Sequence, residues 1–519
     1  MNQNLKEYGG LPLEVQLAWK VMTCRAMRST YDAPCHACHW FNNHYGPYPA
    51  YDWISKLPPV SPEGEEEKEY EARCVGERFQ VPELMSGCRK APIMTIGINP
   101  NLTAYYPSAE SASWCYPYFD DISQYAYYFR HRAVCQEHFS VGFIKNNVIK
   151  GTEITAKKDG KVDSKATSWS QATGGLSLTL KYNDESSETL ELEPGYKVLA
   201  SGFSQGEIIA GKVKVKDNVK TMLYRKPVGY YMRFQSIFDT FKKLAGPEVE
   251  KLPLRMGEDV CQGDMVACAS PGWGKWFTDT AREGIAGECV EKRQWLVLQL
   301  LQTNPPLIVF SGGSAFSMFY DVMKEYIQTD LDLEADTYEL LKKCLTDPIL
   351  LKIDLGSGQK PVNARIAISP HFSYNDNFRP QSRFTAEEWE QYKKEYPDAF
   401  EKLQAIAVTN FDNTRVLVFM DGDKAPTEAE VGPEVWKILQ DHLYNAQELI
   451  AQIILDEYNK GNIQVEGEHF KRNDGPCKFC VNELFAFTEG CPYGKIESSR
   501  KEDENILKSI FKAAKNIFK

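Results

Sequence analysis

The sequence predicts an α/β protein: a largely parallel central sheet, an antiparallel β-unit inserted into it, and a helical C-terminal region. Three observations predict this. Short apolar runs closed by turn residues alternate with segments of helical periodicity, the arrangement that builds a parallel sheet. Residues 141–217 interrupt that alternation with two-residue periodicity and turn signals at KKDGK, ATGG, YNDES and EPGY. Beyond residue 426 the pattern is mainly helical around one cysteine-bearing loop. At 519 residues the chain exceeds one ordinary core, and roughly two to four domains are expected. The expected divisions are 1–90, a cysteine-rich extension; 91–140 with 218–425, the α/β core; 141–217, the inserted β-domain; and 426–519, the helical region.

The elements follow in order. The first ninety residues are irregular and rich in aromatics and cysteines, with an acidic run, PEGEEEKEYEA, that suits a solvated helix. PIMTIGINP reads as a buried strand closed by Gly97, Asn99 and Pro100. After the β-rich block, helical spacing returns at 231–244, followed by the strand-like DMVACA, an amphipathic helix over 286–303 and the apolar strand LIVFSGG. Residues 348–370 supply strand material ending at ARIAISP, and RVLVF adds another strand. A long helix is expected over 434–458, and the basic amphipathic LKSIFKAAKNIFK is expected to pack by its Ile and Phe residues.

Hydrophobic residues at 43% and charged residues at 25% give the balance of a globular protein, which sets aside disordered and fibrous classes. The opening MNQNLKEYGGLPLEV lacks the basic flank and apolar run of a signal peptide, and no apolar stretch reaches bilayer length, so a cytoplasmic protein without a membrane role is expected. A formal charge of -11 argues against coating nucleic acid by bulk electrostatics, while leaving room for a local basic groove. In a reducing compartment the 14 cysteines point to metal ligands or buried thiols before disulfides.

Several segments, taken in order, resemble the uracil-DNA glycosylase superfamily. IGINPNLTAYY is similar to its first motif, closest to the thymine/mismatch-specific branch; YYMRFQSIFDTF resembles the helix that follows, and DMVACASPGW the base-binding strand and loop. ECVEKRQWLVLQLLQTNPPLIVFSGGSAF resembles the helix and strand before the final motif, whose place ISPHFSYNDNFRPQSRF occupies. The resemblance covers about 91–384 without the insertion. It implies a three-layer α/β/α uracil-DNA-glycosylase-like core that hydrolyses the N-glycosidic bond of a base flipped from duplex DNA, with no nucleotide cofactor. Two departures stand out: Asn101 replaces the usual Gly after GINP, and the second motif reads Ser369-Pro370-His371 where the family commonly has His-Pro-Ser.

Breaking this bond develops positive charge on the sugar and negative charge on the departing base, so the chemistry needs a placed water and a donor facing the base. The resemblance assigns water positioning to Asn99, in a loop with Gly97, Ile98 and Pro100; the plain alternative is an Asx turn closing the strand. His371 suits donation to the base carbonyl or a phosphate contact, and Ser369 lines the same motif. Tyr105 or Tyr106 stacks on the flipped base or packs in the core. Arg379 and Arg383 share a loop with Phe378 and Pro380, a pattern that suits phosphate clamping beside an apolar wedge, or simple surface solvation. Asp264 stands where the family often has Asn; an ionised carboxylate only accepts, which suits the exocyclic amine of a cytosine-type base, and the plain alternative is an ordinary aspartate at a strand start. The expected function is therefore removal of a modified cytosine from phage DNA in antiviral defence, with uracil or mismatched-thymine repair, or a catalytically silent DNA-binding and recruitment role, as alternatives.

His469, Cys477, Cys480 and Cys491 form H-x7-C-x2-C-x10-C, which suits tetrahedral zinc. Cys35 and Cys38 form a second pair that Cys74 and Cys88 can complete, with His36, His39 and His44 as competing ligands. A different solution stays open: the superfamily's iron-sulfur branches imply a cluster on Cys35, Cys38, Cys268 and Cys289.

Overall fold

A computed structural model describes Val21, Cys24, residues 83–98, the strands between 137 and 227, and 229–268, 273, 278–333, 336–354, 361–406, 409–411 and 415–471. Strand β1 (Ile93–Gly97) is followed by seven strands of a separate sheet: β2 (Glu137–Phe139), β3 (Ile154–Lys158), β4 (Lys161–Gln171), β5 (Ser177–Tyr182), β6 (Ser187–Glu191), β7 (Glu207–Ile209) and β8 (Tyr224–Pro227). The chain continues through α1 (Gly229–Ala245), β9 (Val260–Asp264), α2 (Asp279–Ala286), α3 (Trp295–Thr303), β10 (Leu307–Ser311) and α4 (Gly313–Met323). Next come β11 (Ile327–Gln328), α5 (Thr337–Lys343), β12 (Ile349–Ile353) and β13 (Val362–Ser369). The last described elements are β14 (Gln381–Thr385), α6 (Ala386–Glu395), α7 (Pro397–Ile406), β15 (Thr409–Phe411), β16 (Arg415–Phe419), α8 (Pro433–Asp441), β17 (Leu443–Tyr444), α9 (Ala446–Asn459), β18 (Gln464–Glu466) and β19 (His469–Lys471).

The central sheet has the order β11-β12-β13-β10-β1-β9, with β13, β10, β1 and β9 parallel and the β12 and β11 edge antiparallel. Every residue of β1 and β10 is buried, so both faces of the parallel part are covered, which explains why these strands read as unbroken apolar runs. From β1 the chain passes to β9 on one side and then to β10 on the other, so the winding direction reverses at β1. In open parallel sheets such a reversal leaves a crevice beyond the strands' carboxyl ends, where ligands bind.

Helix α1 buries Phe234, Phe238 and Phe241 completely, on one stripe with Tyr231 and Ile237. Phe241 meets Tyr458 of α9, and Phe238 and Phe241 both meet Phe470 of β19 edge-on. A buried arginine locks α9 to the sheet: Arg365 of β13 pairs with Asp456 and with Glu457 at 3.1 Å, and donates to the Cys344 carbonyl at 2.6 Å. Removing one partner of such a buried pair costs about 3–5 kcal/mol, because the other charge is stranded.

Two expected elements differ. The helix expected over 286–303 is broken: α2 runs into a π-helical turn, Gly287–Arg293, and Gln294 adopts a left-handed φ of 61° before α3 begins. The helix expected over 434–458 is two helices, because Asn445 caps α9 by accepting the Glu448 N–H at 3.2 Å and the chain between them pairs as β17 with β14. RVLVF forms the strand expected: as β16 it pairs antiparallel with β14 and β15 in a second, four-stranded sheet whose own core includes Phe384, Trp389, Phe400 and Leu439. The β-rich block forms a seven-stranded sheet, antiparallel except where β3 meets β7. Among the described residues no helix is long and apolar enough to cross a membrane.

Candidate active site

The parallel register brings the strand ends level. Gly97 of β1 lies opposite Asp264 of β9, and Ser311 of β10 lies opposite Ser369 of β13. Beyond the strands the IGINP and DMVACA segments stay zipped, since Met265 and Val266 donate their N–H groups to the Gly97 and Ile98 carbonyls at 2.9 and 2.8 Å. The residue after Ile98 therefore leaves a pinned backbone. Asn99, Pro100, Tyr105 and Tyr106 lie outside the described residues.

Asp264 occupies the space beside Gly97 so closely that a Cβ there would meet its Oδ1 at 2.5 Å, Gln262 Nε2 at 3.5 Å and the Tyr230 hydroxyl at 3.5 Å. Glycine is required at this point because any side chain would displace the carboxylate. Gln262 is itself oriented: its Oε1 accepts from the Thr95 hydroxyl at 2.6 Å, which turns its Nε2 toward Asp264 Oδ1 at 3.3 Å. Tyr230, at the start of α1, packs against Phe372 and Tyr231 with ring centroids 5.1 and 5.7 Å away, and against His371 at 6.0 Å. Burial and the neighbouring Asp264 hold its phenol well above the usual range, so it is a neutral O–H. Ser311 and Gln262 are close enough to influence that ionisation, yet neither reaches hydrogen-bond geometry, and the buried hydroxyl has no partner. An unpaired buried hydroxyl costs about 1–3 kcal/mol.

His371 stands on the loop after β13. Burial lowers its pKa below the ordinary histidine value, and its Nδ1 accepts the Ser373 N–H at 3.2 Å, so the neutral ring carries its proton on Nε2 as a donor. The ring rests over Gly312, whose φ of 101° lies in the left-handed region that favours glycine. Tyr374, 63% exposed, lies 5.4 Å from the same ring.

Other expected contacts are corrected. Phe378 is 2% exposed, packed on Phe372 and beneath the Arg233 guanidinium, so it would have to leave the core to act as a wedge. Arg383 is buried against the Tyr338 ring at 3.3 Å, away from any groove surface. Arg379 is half-buried over Phe419 and paired with Asp421 at 2.8 Å. The Ser369 hydroxyl is buried and directed to the Phe310 and Pro370 carbonyls, at 2.9 and 2.8 Å, where it braces the strand end. Sequence patterns did not single out Tyr230, Gln262 or Tyr374: helical spacing ranks Tyr230 with its core neighbours, and only the pairing of β1 with β9 shows what Gln262 faces.

Of the metal candidates, Cys35, Cys38, Cys74, Cys477, Cys480 and Cys491 lie outside the described residues. Cys88 is half-buried, and its N–H is bonded to the Gly257 carbonyl at 2.7 Å. His469 of β19 is buried with Nδ1 3.5 Å from Asp259 and 3.7 Å from Glu258, and the hydrogen bond to Asp259 raises its pKa. Glu258, Asp259 and His469 offer ligand atoms within 4.8 Å of one another, so the ring can join a metal with these carboxylates or, through Nε2, be oriented by them. Cys268 and Cys289 are buried thiols; burial, reinforced by nearby Cys24, pushes Cys289 up to about 12. Cys24 thus joins the cysteines near the proposed cluster position, and its place there was not expected.

No protein-family model, curated protein or solved structure matches the chain.

Proposed function

We propose that the chain is a DNA glycosylase acting on a flipped, modified cytosine and leaving an abasic site. The observation that carries this reading is the placement of an acceptor, Asp264, and a neutral imidazole donor, His371, on strand ends that flank the topological reversal at Gly97. The segments that resemble the superfamily's motifs meet at this one edge. Asn99, following the pinned Ile98, holds a water against C1′ of the sugar. As the water oxygen bonds to C1′, the bond from C1′ to the base nitrogen breaks and its electron pair leaves with the base. The His371 Nε2–H donates to the base carbonyl on which that charge grows, and the water's proton passes to solvent. Asp264 accepts from the exocyclic amine, and Tyr374 takes over the stacking or wedge role expected of Phe378. The cysteine-rich ends hold structural zinc in this proposal, and excision from phage DNA in antiviral defence is the biological setting.

The test is to incubate the protein with duplexes carrying 5-hydroxymethylcytosine, uracil or mispaired thymine and to identify released bases by mass. Release of the modified cytosine that is abolished in Asn99→Ala, with DNA binding retained, is expected. Release of uracil alone transfers the protein to the repair reading, and no release from any duplex leaves DNA binding as its role. Elemental analysis is expected to find about one or two zinc atoms; iron with a brown chromophore would replace zinc with a cluster.

A further inference from the structure

The Tyr230 hydroxyl is the unexplained polar group of this edge. It is buried and without a partner, and its ring is held between Phe372, Tyr231 and His371, so it cannot swing away to find one. It converges with Asp264 Oδ1 above the same point on Gly97. Its nearest polar neighbours lie outside hydrogen-bond geometry from it: Ser311 Oγ accepts the Phe372 N–H at 3.0 Å, and Gln262 is held by Thr95 with its amide toward Asp264. The edge therefore presents a carboxylate acceptor beside a hydroxyl donor lacking an acceptor, and a ligand that fits both must offer an amine next to an unprotonated ring nitrogen.

We infer that Tyr230 is a specificity residue whose hydroxyl donates to N3 of a cytosine-type base while Asp264 accepts from its N4 amine. A uracil-type base opposes the site twice, with O4 against the carboxylate and N3–H against the phenolic proton. The assignment rests on the glycosylase reading for the reaction, but the recognised edge is independent of turnover. A 5-substituent lies off this edge, so discrimination is set by the N3 and N4 positions and not by the bulk of the modification.

The experiment uses the full chain and duplexes with one 2′-fluoroarabino nucleotide, a sugar that resists cleavage, bearing either 5-hydroxymethylcytosine or 5-hydroxymethyluracil. The two probes differ only in the edge being read. Wild type is expected to bind the cytosine probe about tenfold more tightly, and Tyr230→Phe, which keeps the ring packing, to bring the ratio near unity. Asp264→Asn is a second variant, expected to move preference toward the uracil probe. Equal binding of both probes by wild type overturns the inference, as does a ratio unchanged in folded Tyr230→Phe; if that variant does not fold, an unchanged ratio in Asp264→Asn overturns it. Cleavable duplexes run alongside separate the two readings: a retained cytosine preference without base release removes the glycosylase and leaves the edge assignment, whereas release with an unchanged ratio does the opposite.

Discussion

Strand β9 is bounded by two aspartates whose surroundings have little in common. Asp259, just before its amino end, is fully buried; its two oxygens accept the Phe470 and Arg255 N–H groups at 2.7 and 2.8 Å, and His469 stands beside it. Asp264, at the carboxyl end, is half-buried and shares its niche with Gln262, Gly97 and the unpartnered Tyr230 hydroxyl. The first is a fastener that joins the β18–β19 hairpin to the core. The second accepts from Gln262 Nε2 at 3.3 Å and lies beside the Tyr230 hydroxyl, which has no hydrogen-bond partner. On the proposed reading the first carboxylate holds the fold and the second meets the base, so burial, more than residue type, separates the two roles.

The largest expected effect breaks the comparison outright. Asp259→Ala strands two backbone donors and His469, and urea denaturation should show a loss of about 3–5 kcal/mol. Asp264→Ala should cost no more than about 1 kcal/mol of stability while removing preference for cytosine-type bases. Comparable stability losses in both would make Asp264 a second fastener and end its assignment to the site.

The two histidines sharpen the same contrast. His371→Gln should lower the rate of base release by roughly 10²–10³-fold, the usual loss of one transition-state donor, with little change in DNA affinity. Because burial lowers the His371 pKa and the neutral ring is the donor, activity should be level through neutral pH and fall only below the ordinary histidine value near 6.5. A rate that rises as His371 becomes protonated would contradict the neutral donor.

In the metal-free protein His469 should show the opposite sign in stability. Its folded pKa is raised, mainly by the hydrogen bond to Asp259, so its contribution is complete below about pH 6.5 and disappears as pH rises through the folded value. Glu258, raised chiefly by burial, adds to the same trend once pH exceeds the ordinary carboxylate range. Denaturation midpoints for wild type and His469→Gln should converge on the alkaline side, and a gap that is constant with pH would refute the linkage.

Much of this was legible in the sequence, and the parts that were not share a cause. The apolar runs of β1 and β10 and the stripe of phenylalanines on α1 are local patterns, and each marks a buried element. The break at Gln294 escaped because its left-handed turn interrupts a run whose apolar spacing continues on both sides. Phe378 and Arg383 lie in a stretch that reads as an exposed basic loop; only the fold shows Tyr338 and Arg233 covering them. Asp264 was visible through its position in a motif, whereas the hold on its neighbour Gln262 comes from Thr95, which strand pairing brings in from more than a hundred residues away.

The smallest expected effect tests whether the site end of β9 is held from within the sheet. Thr95 lies mid-strand in β1, fully buried, and reaches Asp264 only through Gln262. Thr95→Val keeps the shape and removes the hydroxyl that fixes the Gln262 amide, at a cost of about 1 kcal/mol for the lost bond. With Oε1 no longer satisfied, the amide keeps only the bonds from Nε2 to the Gly263 carbonyl and to Asp264, at 3.0 and 3.3 Å, and is held less firmly, so the carboxylate is less sharply placed beside Gly97. The variant should therefore lose part of the discrimination between cytosine-type and uracil-type probes, by about two- to fivefold on the scale of a weakened base contact, while melting only slightly earlier than wild type. Thr95→Ser, which restores the donor, should recover most of that discrimination despite the missing methyl group. If the two variants instead lose discrimination equally, the effect belongs to packing in the sheet, and Asp264 holds its position without help from the strand behind it.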